Sequence, residues 1–220
     1  MTVKFPGVTE IRLLFCDTVD ATTALVGDAT LLERFDGPSA LAGFSVRGLA
    51  GHLLRAVTSA EGYLDNPEPD TGPEPLSAAE YYGAVVAAST DVDDDFNRAI
   101  RQRGVEAASG RPEEFPAAWA GAAARIRARL AAEPAGRLVR VYGDLVLTLD
   151  EYLVTRLIEV VVHADDLAVS LGVAPPPLPA ATGVAVATLV EAARRRHGDA
   201  AVLRALTRRE RDDVAALRVL

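Results

Sequence analysis

Residues 150–171, DEYLVTRLIEVVVHADDLAVSL, decide how this 220-residue chain folds. They contain no Gly, Pro or Asn and are followed at once by Gly172, which is the profile of a long helix with a glycine stop. The segment from Leu157 to Val162 also has strand propensity, but a strand would send Arg156 and Asp166 to the face opposite Glu159 and His163. In a helix, steps of three and four residues place Arg156, Glu159, His163 and Asp166 on a single stripe. The stripe runs through apolar sequence, so four ionisable side chains point toward the core. Buried charges are costly unless they pair or bind a metal.

The flanking sequence reads as further helices. Residues 8–26 carry Ile11, Leu14, Phe15 and Val19 at helical spacing, with Gly27 as a stop. After a turn at residues 36–39, Ser45 can cap a second helix whose inner side holds Leu49, His52, Leu53, Ala56 and Val57. Residues 66–75 read as an exposed loop. Ser77 and Glu80 form a capping-box signature for a third helix, with Tyr81, Val85, Ala88, Val92, Phe96 and Ile100 as its apolar positions through to Gly104. The acidic run Asp91, Asp93, Asp94 and Asp95 on it reads as a solvated face, because consecutive aspartates on a helix diverge. A fourth helix starts near Pro112, presents Phe115, Trp119, Ala122, Ile126 and Leu130, and stops before Pro134. Residues 138–142 and 145–149 form a small hairpin about Gly143 and Asp144, after which Thr148 or Asp150 caps the long helix.

The proline-rich stretch 174–179 is the one convincing boundary. It separates a helical bundle, residues 1–173, from a short segment, residues 180–220, which is too small to fold alone and should pack on the bundle. That segment has helices at 181–196 and 199–208 and an apolar tail at 214–220. The expected fold class is mainly all-α, with extra helices, a small hairpin and a short C-terminal α/β appendage.

Composition excludes several classes. Half of the residues are hydrophobic, with Ala favoured, which suits closely packed helices. A net charge of −8 argues against a nucleic-acid partner, and Arg194 to Arg196 and Arg208-Arg209 are too short to reverse it. Cys16 is the only cysteine, so no intramolecular disulfide forms and no Cys-based metal motif exists; a reducing cytoplasm fits. No stretch is apolar and long enough for a signal sequence or a membrane span, and a cytoplasmic monomer or homodimer is expected. Lys4 is the sole lysine among many arginines and alanines, a bias expected of GC-rich codons.

If the helices bearing His52 and the Glu159/His163 pair are neighbours, their inward side chains span the gap between axes and meet. Two imidazoles and a carboxylate suit a zinc-type divalent ion with an open fourth position, the pattern of catalytic zinc. Asp166, one turn beyond His163, could accept that imidazole's second N–H, and Arg156 could hold an anionic substrate group or neutralise a second carboxylate. The same spacing also suits a ladder of salt bridges on a helix surface. Arg47 reads either as a surface residue or as one that closes over the site and binds a cofactor. His197, before Gly198, reads as a cation at a helix C-terminus. No serine-hydrolase elbow, P-loop or dinucleotide fingerprint is present.

The stretches FSVRGLAGHL, residues 44–53, and RLIEVVVHADDL, residues 156–167, resemble the two signature segments of the mycothiol-dependent maleylpyruvate isomerase family, a branch of the DinB-like metal-binding bundles. The resemblance covers roughly residues 8–172. It implies a DinB-like four-helix bundle with added helices, His52, Glu159 and His163 as metal ligands, and mycothiol, a thiol of high-GC actinobacteria, as cofactor. Phe44 stands where the family usually has tryptophan, and Gly48 where it usually has aspartate. Arg208, Arg209 and Arg211 are loose candidates for contacts from the C-terminal part.

A thiol on the open position loses its proton at neutral pH and becomes the reactive nucleophile. Attack on a small-molecule electrophile followed by bond rotation and thiolate loss gives cis-trans isomerisation; an adduct that stays gives S-transfer. A hydrolase using hydroxide at the open position and a regulatory bundle clamped by its metal are the competing readings.

Overall fold

Local chemistry sets the helix boundaries. The computed structural model describes residues 8–69, 74–86, 95–207 and 217. Helix α1, Val8–Val26, ends where the Gly27 N–H reaches the Thr23 carbonyl at 2.9 Å. A short helix α2, Ala29–Arg34, follows, capped by Asp28, whose carboxylate accepts from the Thr30 N–H at 2.8 Å. The sequence reading has no helix here; burial of Leu31 and Phe35 holds the single turn and a half in place. Helix α3, Val46–Leu64, starts at Ser45 as expected, with Ser45 Oγ accepting from the Gly48 N–H at 3.1 Å.

The Ser77/Glu80 capping box forms in both directions, at 2.9 and 3.3 Å, and opens helix α4, Ala78–Val86. Helix α5 is Asp95–Ala107. Residues 87–94, which hold Ala88, Val92 and most of the acidic run, lie outside the described residues; Asp95 is exposed and pairs with Arg98. After a 3-10 turn at Pro112–Glu114, helix α6 spans Phe115–Ala132. Strands β1, Leu138–Arg140, and β2, Val146–Thr148, pair antiparallel with Leu138 opposite Thr148, making the expected hairpin. Thr148, not Asp150, caps helix α7, Leu149–Leu171, by accepting from the Glu151 N–H at 3.2 Å. Gly172 stops α7 in the left-handed conformation (φ +73°) that a side chain would strain.

Helices α8, Pro179–His197, and α9, Asp199–Thr207, make up the described C-terminal part. Residues 174–207 hold helices and no strand, which tests the expected α/β appendage only as far as Thr207. Arg208, Arg209, Arg211 and, apart from Leu217, the apolar tail lie outside the described residues.

Helices α1 and α3 each pack on both α6 and α7, so these four close a ring around one core. Phe15, Val19, Leu49, Leu53, Trp119, Ile126, Leu153 and Leu157 fill it. Trp119 is fully buried and its indole N–H reaches Thr23 Oγ1 at 3.2 Å. Helix α5 lies along α3, while α4 lies against α7 and α8, and α9 against α8. None of the described helices is long and apolar enough to cross a membrane.

Helices α3 and α5 approach closely enough for backbone to meet backbone. A Cβ on Gly51 would stand 1.9 Å from the Gly104 carbonyl oxygen, and one on Gly104 would stand 2.5 Å from the Gly48 oxygen. The backbones touch because these positions have no side chain. Gly51→Ala should therefore cost about 3 kcal/mol through overpacking. Gly62→Ala, also on α3 but with nothing within 4 Å of the added methyl, should gain roughly 0.5 kcal/mol from helix propensity. Urea-unfolding midpoints check both, and equal stability of Gly51→Ala and the parent would contradict the α3–α5 contact.

Candidate metal centre

Helix α7 is buried on most sides, and its polar stripe is largely covered, so its charges have to be satisfied mostly within the bundle. Arg156, Glu159, His163 and Asp166 lie along the seam that α7 forms with α3, and His52, near the middle of α3, enters it from the other side. Glu159 Oε2 sits between the two imidazoles, 3.3 Å from His52 Nε2 and 3.2 Å from His163 Nε2. The imidazole centroids are 4.6 Å apart. One donor atom from each of the three residues falls within 4.8 Å of the others, and this is the one such group of His, Cys, Asp or Glu among the described residues.

The surroundings fix the charges. Burial alone would raise the Glu159 pKa, but hydrogen bonds from His163 and His52 and the charge of Arg156 hold it well below the usual range. Burial opposes a charge on His163, yet hydrogen bonds to Asp166 and Glu159 outweigh it and raise its pKa to about 9. His52 has its pKa lowered, chiefly by burial. It is therefore the neutral imidazole of the pair. His163 Nδ1 is held by Asp166 Oδ2 at 3.0 Å, which turns Nε2 toward the cluster. His52 Nδ1 is buried without a hydrogen-bond partner among the described residues. Its ring is positioned by packing, including the edge of Phe44 at a centroid distance of 6.1 Å.

A surface ladder of ion pairs accounts for the α7 contacts but not for His52, which comes from another helix and meets the same carboxylate oxygen. Two imidazole nitrogens and a carboxylate oxygen fit a first-row divalent ion such as zinc, with a position left over. Between 16 and 19% of each of the three side chains remains exposed, so the cluster is reachable from solvent.

Arg156 lies beside the cluster, with Nη2 3.9 Å from Glu159 Oε1, Nε donating to Thr155 Oγ1 at 3.1 Å, and its guanidinium 5.0 Å from the centre of the Tyr152 ring. Arg47 stands in the first turn of α3. Its guanidinium is taken up by Asp36 at 2.7 Å, by the Ala108 and Gly110 carbonyls, and by the face of Phe35. It ties the start of α3 to the segment after α5.

Sequence reasoning missed Tyr82. Its ring is buried and its hydroxyl lies 3.1 Å from the Thr155 carbonyl and 3.4 Å from Glu159 Oε1. The signal was the adjacent pair Tyr81-Tyr82, since on a helix only one of two neighbours follows the apolar stripe and a buried tyrosine needs a partner for its O–H. A separate cavity of about 420 Å³, lined by Ala78, Val154, Val184, Thr188 and Arg195 among others, includes none of the cluster residues.

A family model described as the mycothiol maleylpyruvate isomerase N-terminal domain matches residues 16–168. The chain belongs to this family. The match spans His52, Glu159 and His163 and ends two residues past Asp166, and membership ties the chain to mycothiol and to a metal-binding bundle. No curated protein and no solved structure gives a match.

Elemental analysis of the purified protein should find about one divalent ion per chain, as three converging ligands predict. His52→Ala should lose it and Arg47→Ala should keep it. Equal metal in the parent and His52→Ala would remove the centre from consideration.

Proposed function

We propose that the chain is a divalent-metal-dependent enzyme that uses a low-molecular-weight thiol, mycothiol, against a small electrophile, as a thiol S-transferase or cis-trans isomerase. The observation that carries this reading is the convergence of His52 Nε2, His163 Nε2 and Glu159 Oε2 on one solvent-reachable point.

The charges of the chain's own residues favour an anion there. His163, protonated in the metal-free cluster, would give up its Nε2 proton to a metal ion; Glu159 and Asp166 then contribute two negative charges and Arg156 one positive, leaving one net negative charge around two neutral imidazoles. A divalent ion turns that into one net positive charge, which a singly charged anion offsets; a neutral ligand would leave a partly buried charge uncompensated. When bound, the ion lowers the pKa of a coordinating thiol so that sulfur is available as thiolate at neutral pH. The family's description by mycothiol supports sulfur over hydroxide.

The remaining work falls to the chain. Asp166 would hold the remaining His163 proton on Nδ1 once the one on Nε2 is displaced by a metal, so that the Nε2 lone pair faces the centre. Arg156 supplies positive charge under the carboxylate and can attract an electrophile that itself carries a carboxylate. Phe44 gives the rim beside His52 an apolar edge.

Cobalt-substituted protein tests the thiol directly. Adding mycothiol should produce an intense near-ultraviolet sulfur-to-metal charge-transfer band, absent from His163→Ala. A spectrum unmoved by saturating mycothiol would favour hydroxide chemistry or a purely structural metal and sink the thiol reading.

A further inference from the structure

The two oxygens of Glu159 are used differently. Oε2 faces Nε2 of both His52 and His163, at 3.3 and 3.2 Å. Oε1 faces away from the imidazoles, toward the Tyr82 hydroxyl at 3.4 Å and Arg156 Nη2 at 3.9 Å. The last torsion of a glutamate is broad and nearly two-fold, so nothing intrinsic to the side chain decides which oxygen is presented. A group gripping one oxygen does decide it.

Tyr82 is built for that grip. Only 3% of it is exposed, and it belongs to a buried apolar cluster with Ala79, Ile158, Ala185 and Ala192, residues of α4, α7 and α8. Its single proton has two acceptors within reach, the Thr155 carbonyl at 3.1 Å and Oε1. Thr155 lies one helical turn before Glu159 on α7, so the hydroxyl is referenced to the same helix whose carboxylate it holds. Arg156, with Nε on Thr155 Oγ1, approaches Oε1 from the same turn.

We propose that Tyr82 is a positioning residue of the metal centre: its hydroxyl, together with Arg156, holds Oε1 of Glu159 so that Oε2 alone is offered to the ion. This assignment rests on reading His52, Glu159 and His163 as metal ligands. It also gives the C-terminal helices a part in the site, since α8 packs against α4 and braces the tyrosine that α4 carries.

The test uses the full chain and zinc alone, with affinity read by competition against a chelating dye. Tyr82→Phe keeps the ring and its packing and removes only the hydroxyl. Its zinc dissociation constant should rise about tenfold, the lower end for loss of an outer-shell partner. Tyr81→Phe, the neighbouring tyrosine without a bond to Glu159, should bind as the parent does. Metal-free Tyr82→Phe should keep the parent's helical circular dichroism; if it does not fold, Arg156→Lys gives the same reading, with weakened zinc binding expected. Tyr82→Phe binding zinc as tightly as the parent would overturn the assignment, and so would a loss that Tyr81→Phe shares equally. A parent that takes up no zinc, or takes it up undiminished in His52→Ala, would overturn the reading of the cluster and this assignment with it.

Discussion

Glu159 carries a negative charge into the seam between α3 and α7, where its desolvation has to be offset by groups of opposite charge or by hydrogen-bond donors. Two imidazoles, one from each helix, meet one of its oxygens, and a tyrosine and an arginine meet the other. The arrangement requires α3 and α7 to be direct neighbours with His52 facing inward. Much of the remaining architecture serves that requirement. The glycine contact that lets α5 lie against α3 covers the back of the helix bearing His52, and α4 and α8 cover the side of α7 toward which Oε1 points.

A polar cluster of this kind adds little to folding stability. Ion pairs inside a protein regain what desolvation costs only when every member is satisfied, and His52 Nδ1 has no partner among the described residues. Stability comes instead from the apolar ring of α1, α3, α6 and α7, with Trp119, Leu153 and Leu157 fully buried. The bundle thus tolerates a costly group at one seam. Buried polar clusters of this kind gather at functional sites.

What could be read from the sequence was whatever is local. The stripe of α7, its stop at Gly172, the caps at Ser45 and Ser77 and the hairpin about Gly143 all follow from spacing or from residues within one turn, and the helix period by itself brings Glu159, His163 and Asp166 together. That His52 joins them depends on which helices are neighbours, which the resemblance of residues 44–53 and 156–167 to a known pair of segments supplied and periodicity did not. Residues whose partners are far along the chain escaped. Arg47 stays open between a surface and a site-closing reading because Asp36, Ala108 and Gly110 are 11, 61 and 63 residues away. Tyr82 was passed over because its partners on α7 lie 73 and 77 residues on. Helix α2 is too short to show a period, and only its burial against the bundle makes it a helix.

The direction in which the α7 stripe points is itself set from a distance. A shift of one residue turns a helix by about 100° and would carry Glu159 out of the seam. At the start of α7, Asp150 is held by Arg12 at 2.8 Å, and the same guanidinium reaches the carbonyls of Leu130, Glu133 and Pro134 at the end of α6. Glu151 accepts from the Ala78 N–H at 2.7 Å, docking the first turn of α4 onto α7. At the other end, Arg34 donates to the Ser170 carbonyl at 2.7 Å and Ser170 Oγ accepts from the Ala40 N–H at 2.9 Å. None of these groups touches the cluster. Each fixes the rotation or height of the helix that carries it, so a substitution at Arg12 or Arg34 would act on the centre by turning α7 rather than by removing a ligand.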